Sequence, residues 1–263
     1  MKIQYVIFTV ISFSCLFCQC TRSENEFSTG KLIITEGCCF PDVADKYVYP
    51  IKYGTDEWYK MVFDEKLNAC QLPDDVLKSI STLGLIRSFV DMPYSFLLEY
   101  SLSSHSSPVA SYNGIYSLSN MMQEVLSRKD IAKSLIDFYA ATKFDCIESS
   151  EKCDKCSDFT YCSDFTYRLG ALECLFTKPE IHDRLDQKNK IKVVKSLLAN
   201  YKQWHNFGYI NCQIDVTILV IMVWIMYDDM IPYFDKKSLE DIKYGNYIEG
   251  LVEDIIAFAE SFN

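Results

Sequence analysis

Cysteine and histidine are the residue types that most readily carry chemistry, and this chain is rich in the first and poor in the second. Cys153, Cys156 and Cys162 follow a C-x2-C-x5-C pattern, with Cys174 further on. A C-x2-C turn brings two sulfurs to one side, and thiolates so placed can hold zinc tetrahedrally. Cys153, Cys156 and Cys162 are therefore weak metal candidates. A structural zinc site usually pairs one such knuckle with a second close pair, and Cys162 and Cys174 stand far apart. The hexapeptide CSDFTY occurs at 156–161 and again at 162–167. A tandem copying event that carried a cysteine along explains the third thiol more simply. Disulfides or free thiols are the default use of cysteine in an exported chain. A redox pair would sit at a helix N-terminus in a βαβ unit, a context missing here. No cofactor is expected.

The histidines are His105, His182 and His205. His105 lies in the serine-rich run SLSSHSS (101–107), where serine is abundant with or without a Ser–His site. Trp204-His205 closes an amphipathic pattern, where His complements the carbonyl end of a helix. There is no H-E-x-x-H, no G-x-S-x-G, no phosphate-cradling glycine loop and no EF-hand pattern. Asp74-Asp75 and Asp228-Asp229 are paired carboxylates, each expected at a helix end facing solvent. No catalytic residue is assigned. Convergence of Asp228 or Asp229 with His105 or His205 in one pocket would mark an enzyme instead.

The N-terminus reads as an export signal. Lys2 is a short positive region, Ile3 to Phe17 is uncharged and mostly apolar, and polar residues begin at Thr21-Arg22. The run is short for a spanning helix, which needs about 20 residues, and suits a signal sequence over residues 1–20. It ends in SCLFCQC, so three cysteines compete for lipidation. Cys15 has the small preceding Ser14, Cys20 the polar tail, and Cys18 neither. Ordinary cleavage after Cys20 is the alternative. It leaves nine cysteines, an odd number, so one thiol at least stays unpaired or pairs between chains. Cys70, Cys174 and Cys212 fall within helical patterns and read as buried small hydrophobes. The product is expected in the cell envelope, the periplasm or the medium.

Net charge is −10. Nucleic-acid affinity comes from Lys and Arg displacing counterions, and no basic patch is evident, so nucleic acid is not an expected partner. An anionic membrane surface is disfavoured alike, leaving an N-terminal lipid as the expected membrane contact. At 49% hydrophobic residues the chain can bury a sizeable core.

The elements that must position these residues are helices. Residues 21–54 read as a tether and irregular lead-in to a helical domain at 55–263. Thr55 caps a helix running to about Ala69; Pro73 opens a second and Ser81 a third, stopped before Pro93. A short fourth carries Phe96, Leu97 and Tyr100. Three-four spacing continues through Ile115 to Leu126, Ile131 to Tyr139, Phe165 to Phe176, Ile191 to Trp204 and Ile248 to Phe262. Val216 to Tyr227 is apolar throughout but only twelve residues long, which fits the central helix of a core better than a span. Lys31–Thr35 and Tyr47–Ile51 are the only strand-like stretches, and both alternate briefly. The expectation is an all-α, irregular bundle of about nine or ten short helices.

The stretches VYPIKYGTDEWYKM, KLNACQLPDDVLKSISTLGLIRSFVDMPY, SNMMQEVLSRKDIAKSLIDFY and LLANYKQWHNFGYINCQIDVTILV resemble a family of uncharacterised exported proteins and lipoproteins of gut Bacteroidetes. The most specific run is Ala69 to Tyr94, with its Cys-Gln-x-Pro and S-T-x-G-L turns. The resemblance implies an all-helical extracytoplasmic domain and carries no activity. The Cys146–Cys162 segment departs from the pattern, which argues against a shared site there. The function expected is a non-catalytic helical binding protein with an unknown protein or small ligand as partner. The alternatives are an extracytoplasmic enzyme with a non-motif site, or a cysteine-based metal or thiol module.

Overall fold

The computed structural model describes residues 40–93, 116–142, 168–206, 213–243 and 250–263, with backbone alone at 204–206 and 213–216. The fold is all-α, and no strand occurs among the described residues. In chain order the helices are α1 Asp56–Lys60, α2 Phe63–Ala69, α3 Asp74–Ser79, α4 Thr82–Val90, α5 Asn120–Ser127 and α6 Ile131–Ala141. A helix at 168–174 runs into a 3-10 turn, Leu175–Thr177. Then come α7 Pro179–His182, α8 Gln187–Asn206, α9 Gln213–Met230, α10 Lys236–Lys243 and α11 Leu251–Ser261.

The starts follow capping chemistry. Thr55 Oγ1 accepts from the Trp58 N–H at 3.3 Å, and Ser81 Oγ accepts from the Gly84 N–H at 3.0 Å. Pro73 precedes α3, and Asp74 and Asp75 fill its first turn, where acidic groups meet the unpaired N–H groups. The single helix expected over 55–69 is instead two. Met61 and Val62 are extended (ψ 138° and 168°), and Glu65 Oε2 accepts from the Val62 N–H at 2.9 Å, capping a new start. That break lets Trp58 bury completely while Tyr59, Val62 and Phe63 stay in solvent.

Residues 40–54 are irregular, as expected, but they are not a loose tether. Phe40 and Tyr49 are buried in the core, and Tyr47–Ile51 forms no strand. Arg87 of α4 donates to the carbonyls of Phe40 and Pro41 at 2.8 and 3.0 Å, and Ser88 Oγ accepts from the Tyr47 N–H at 2.7 Å. Asp45 accepts from the Ser81 N–H at 2.6 Å and from its hydroxyl at 3.0 Å. Gly84 makes this approach feasible, since a Cβ there would lie 2.7 Å from Asp45 Oδ1.

α4 packs on α5 and α6, and α8 packs on α6, α9 and α11. α9 is the hub: Ile218 to Val223, Ile225 and Met226 are buried, so it is enclosed on nearly every side. It is longer than the apolar run that announced it, and Asp228 and Asp229 lie exposed in its last turn. No helix among the described residues is long and apolar enough to cross a membrane. Two short helices, α7 and α10, escaped the periodicity. α10 has only Leu239 and Ile242 buried, and it is fixed to α9 by Tyr227 Oη donating to Glu240 at 2.7 Å and by Lys243 over the Tyr227 ring.

Candidate functional site

Among the residues singled out by type and spacing, Cys15, Cys18, Cys20, Cys153, Cys156, Cys162, Cys212 and His105 lie outside the described residues. So does the side chain of His205, which belongs to α8. Asp74 and Asp75 are exposed in the first turn of α3, where they serve the helix start. His182 has its Nδ1 3.4 Å from Asp183 Oδ1, and its Nε2 is buried without a hydrogen-bond partner. Cys70 and Cys174 are free and buried, and no disulfide occurs among the described residues. Burial pushes the Cys70 thiol up to about 12 and raises that of Cys174 well above its ordinary value. Both are thus poor nucleophiles and poor ligands, since the thiolate is the reactive form. No group of three metal-binding side chains occurs among the described residues.

The cluster that spacing did not reveal is Glu173, Tyr139 and Asn200. Glu173 comes from the 168–174 helix, Tyr139 from α6 and Asn200 from α8, so three elements meet at one polar point inside the core. Tyr139 Oη donates to Glu173 Oε1 at 2.5 Å and accepts from Asn200 Nδ2 at 2.5 Å. Phe176 stands edge-on to the Tyr139 ring at 5.5 Å between centroids. Glu173 is 0% exposed, and its Oε2 has no hydrogen-bond partner. Burial disfavours the carboxylate and pushes Glu173 up to about 8, against the opposing pull of the Tyr139 hydrogen bond. Burial, and then the Glu173 charge, raise Tyr139 well above the usual phenol range. At neutral pH both groups are neutral, which removes the cost of an uncompensated buried charge.

This arrangement holds a proton at Glu173, and among the described residues it is enclosed. A general acid or base must come within hydrogen-bond reach of the group it protonates, and Glu173, Tyr139 and Asn200 are 0%, 2% and 8% exposed. Its physical role is to pin α6, the 168–174 helix and α8 in one register. A signal was present in the sequence: Glu173 interrupts the apolar run Ala171–Phe176, and Asn200 falls in core register with Val193 and Leu197.

The chain matches no family model, no curated protein and no solved structure. Its surface must therefore be read from its own residues, and two regions stand out. Tyr53, Tyr59, Val62 and Phe63 form an exposed aromatic and aliphatic ledge around α1 and the start of α2, with the Tyr53 and Tyr59 rings edge-on at 6.1 Å. The second region is a row of lysines on one helix. α8 carries Lys188, Lys190, Lys192, Lys195 and Lys202 and no acidic residue in its length. Beside it lies an open depression of about 480 Å³.

Proposed function

We propose that the chain is an exported, non-catalytic helical binding protein whose α1–α2 ledge docks on another polypeptide. The observation that carries this reading is the exposure of the ledge: Tyr59 and Val62 are each 63% exposed and Phe63 43%. Burying such side chains is favourable by about 1.5–3 kcal/mol each, and the chain leaves them in water beside a fully buried Trp58. Tyr and other aromatics bring much contact area with few torsions to freeze, which is why they concentrate at binding hot spots. The ledge is also well founded. Trp58 roots α1 in the core, and Lys66 stands over its ring at 5.7 Å.

Export is supported by the apolar run and cysteine cluster of residues 1–20 and by the resemblance to exported gut Bacteroidetes proteins. Attachment through a lipid on Cys15, Cys18 or Cys20 belongs to the same reading. The ledge is tested by placing a photoreactive amino acid at Tyr59 and, as a control, at the exposed Lys133 in the native host. The expected result is one discrete adduct from position 59 and none from position 133. Equal labelling at both positions, or none at 59, would remove the ledge as a docking face.

A further inference from the structure

Charge on this molecule is distributed unevenly. Taking the five lysines of α8 from a chain of net charge −10 leaves −15 on everything else. The lysines crowd toward the N-terminal half of the helix, where cations meet the positive end of the backbone dipoles and are disfavoured. The dipole therefore does not account for their crowding at this end, although lysine is a good helix former. Lys202 is neutralised by Glu260 at 2.5 Å near the other end. Lys192 shares Asp137 of α6 with Lys133, at 3.1 and 2.8 Å. Asp186 is committed to the helix start, accepting from the Asn189 N–H at 2.8 Å. Lys188, Lys190 and Lys195 make no ion pair among the described residues.

Lys188, Lys192 and Lys195 line the open depression of about 480 Å³, together with Ser196 and the apolar Ile191 and Ala199. At a rise of 1.5 Å per residue the three ammonium-bearing positions span roughly 10 Å along the helix. We infer that this depression binds a small soluble polyanion, a molecule with two or more phosphate or carboxylate groups spread over that length. One anionic group lies beside Lys188 and a second beside Lys195, the two lining lysines that make no ion pair among the described residues, with the Ser196 hydroxyl as a further donor. Ile191 and Ala199 give an apolar surface for the ligand's uncharged part. The length decides against a nucleic-acid backbone, whose affinity needs many phosphates engaged at once. The rest of the chain, at a formal net charge of −15, disfavours the remainder of such a polymer. This site is separate from the α1–α2 ledge, and either can fail alone.

The test is calorimetric titration of the whole protein at low salt with tripolyphosphate and, in a second arm, with citrate. Lys188→Gln/Lys195→Gln keeps most of each stem and removes two charges, while Lys60→Gln/Lys78→Gln removes the same charge from exposed positions elsewhere. All four positions are exposed, so helicity and melting temperature should match the wild type. The expected result is saturable binding that weakens by about tenfold in the α8 variant and by less than about twofold in the control. Preference for tripolyphosphate assigns the natural ligand to phosphates, and preference for citrate to carboxylates. No binding at millimolar ligand, or equal weakening in both variants, would overturn the inference. So would displacement of either ligand by a poly-glutamate peptide at far lower concentration, which would make the face a docking site for acidic polypeptide.

Discussion

Glu173 and Gly84 show how much a single position can decide. Below about pH 4.5, the ordinary Glu range, the Glu173 carboxyl is protonated in both folded and unfolded chains. Between there and about 8 the unfolded chain loses the proton while the folded one keeps it. Folding then takes up a proton, and stability falls by about 1.4 kcal/mol for each unit of rising pH. Above about 8 both forms are ionised and this contribution to the slope ends. Glu173→Gln preserves shape and an acceptor for Tyr139 but cannot ionise. Urea unfolding should show a flatter profile from pH 5 to 8 and a variant more stable than wild type at pH 8; parallel profiles would mean that Glu173 is not held neutral. At Gly84, an alanine methyl would meet Asp45 Oδ1 and Ile80 Cγ1 at 2.7 Å each. Gly84→Ala should cost about 1–3 kcal/mol, the usual penalty of overpacking, read from the same unfolding curves. The glycine was visible in the S-T-x-G-L run, which is the capped start of α4 and not a turn, but its reason was not, because Asp45 arrives from a segment that carries no periodic pattern.

Helices were legible wherever a cap preceded an apolar three-four pattern. Ser81 and Ser119 cap α4 and α5 through their hydroxyls, and the apolar positions read from α4, Leu85, Ile86, Phe89 and Val90, are all buried. The break at Met61-Val62 was hidden because Val62 carries no capping oxygen, and its N–H is satisfied from ahead by Glu65. Joins between elements were equally hidden. Asn120 at the head of α5 accepts from the Leu72 N–H at 3.1 Å and donates to the Leu72 carbonyl at 2.8 Å. Gln71 Oε1 in turn accepts from the Asn120 N–H at 2.8 Å. Such an amide clamp spans 48 residues and leaves no local mark on the sequence. Ser81→Ala should lose about 1–3 kcal/mol, because its hydroxyl both caps α4 and donates to Asp45. Asn120→Ala should lose about 1–3 kcal/mol by stranding both Leu72 backbone groups. Chemical denaturation measures each, and an Asn120→Ala loss below about 0.5 kcal/mol, the low end for a single hydrogen bond, would show the clamp to be idle.

At the scale of the whole molecule, titrations of opposite sign act on stability from the two ends of the pH range. Hydrogen bonding and charge from Lys133 and then Lys192 hold Asp137 below the usual carboxylate range. Burial opposes the charge of Asp45, yet the Ser81 N–H and hydroxyl together lower it. These carboxylates contribute stability above their ordinary range near 3.8 that is lost as pH falls through their lowered values. Glu173 acts from the other side, eroding stability as pH rises from its ordinary range toward about 8. The all-α class was legible because helix periodicity recurs from Thr55 to the C-terminus. The exposed ledge was not, since the spacing that places Trp58 in the core gives no sign that Tyr59, Val62 and Phe63 stay exposed. The central claim is that this ledge holds a partner polypeptide. Its most direct test is the sedimentation of the protein in gentle detergent extracts of its native host, wild type against Tyr59→Ser/Val62→Ser/Phe63→Ser. The expected result is that the wild type sediments as a larger complex and that the variant, still folded by circular dichroism, sediments as the free mature monomer. Identical sedimentation of the two would contradict it.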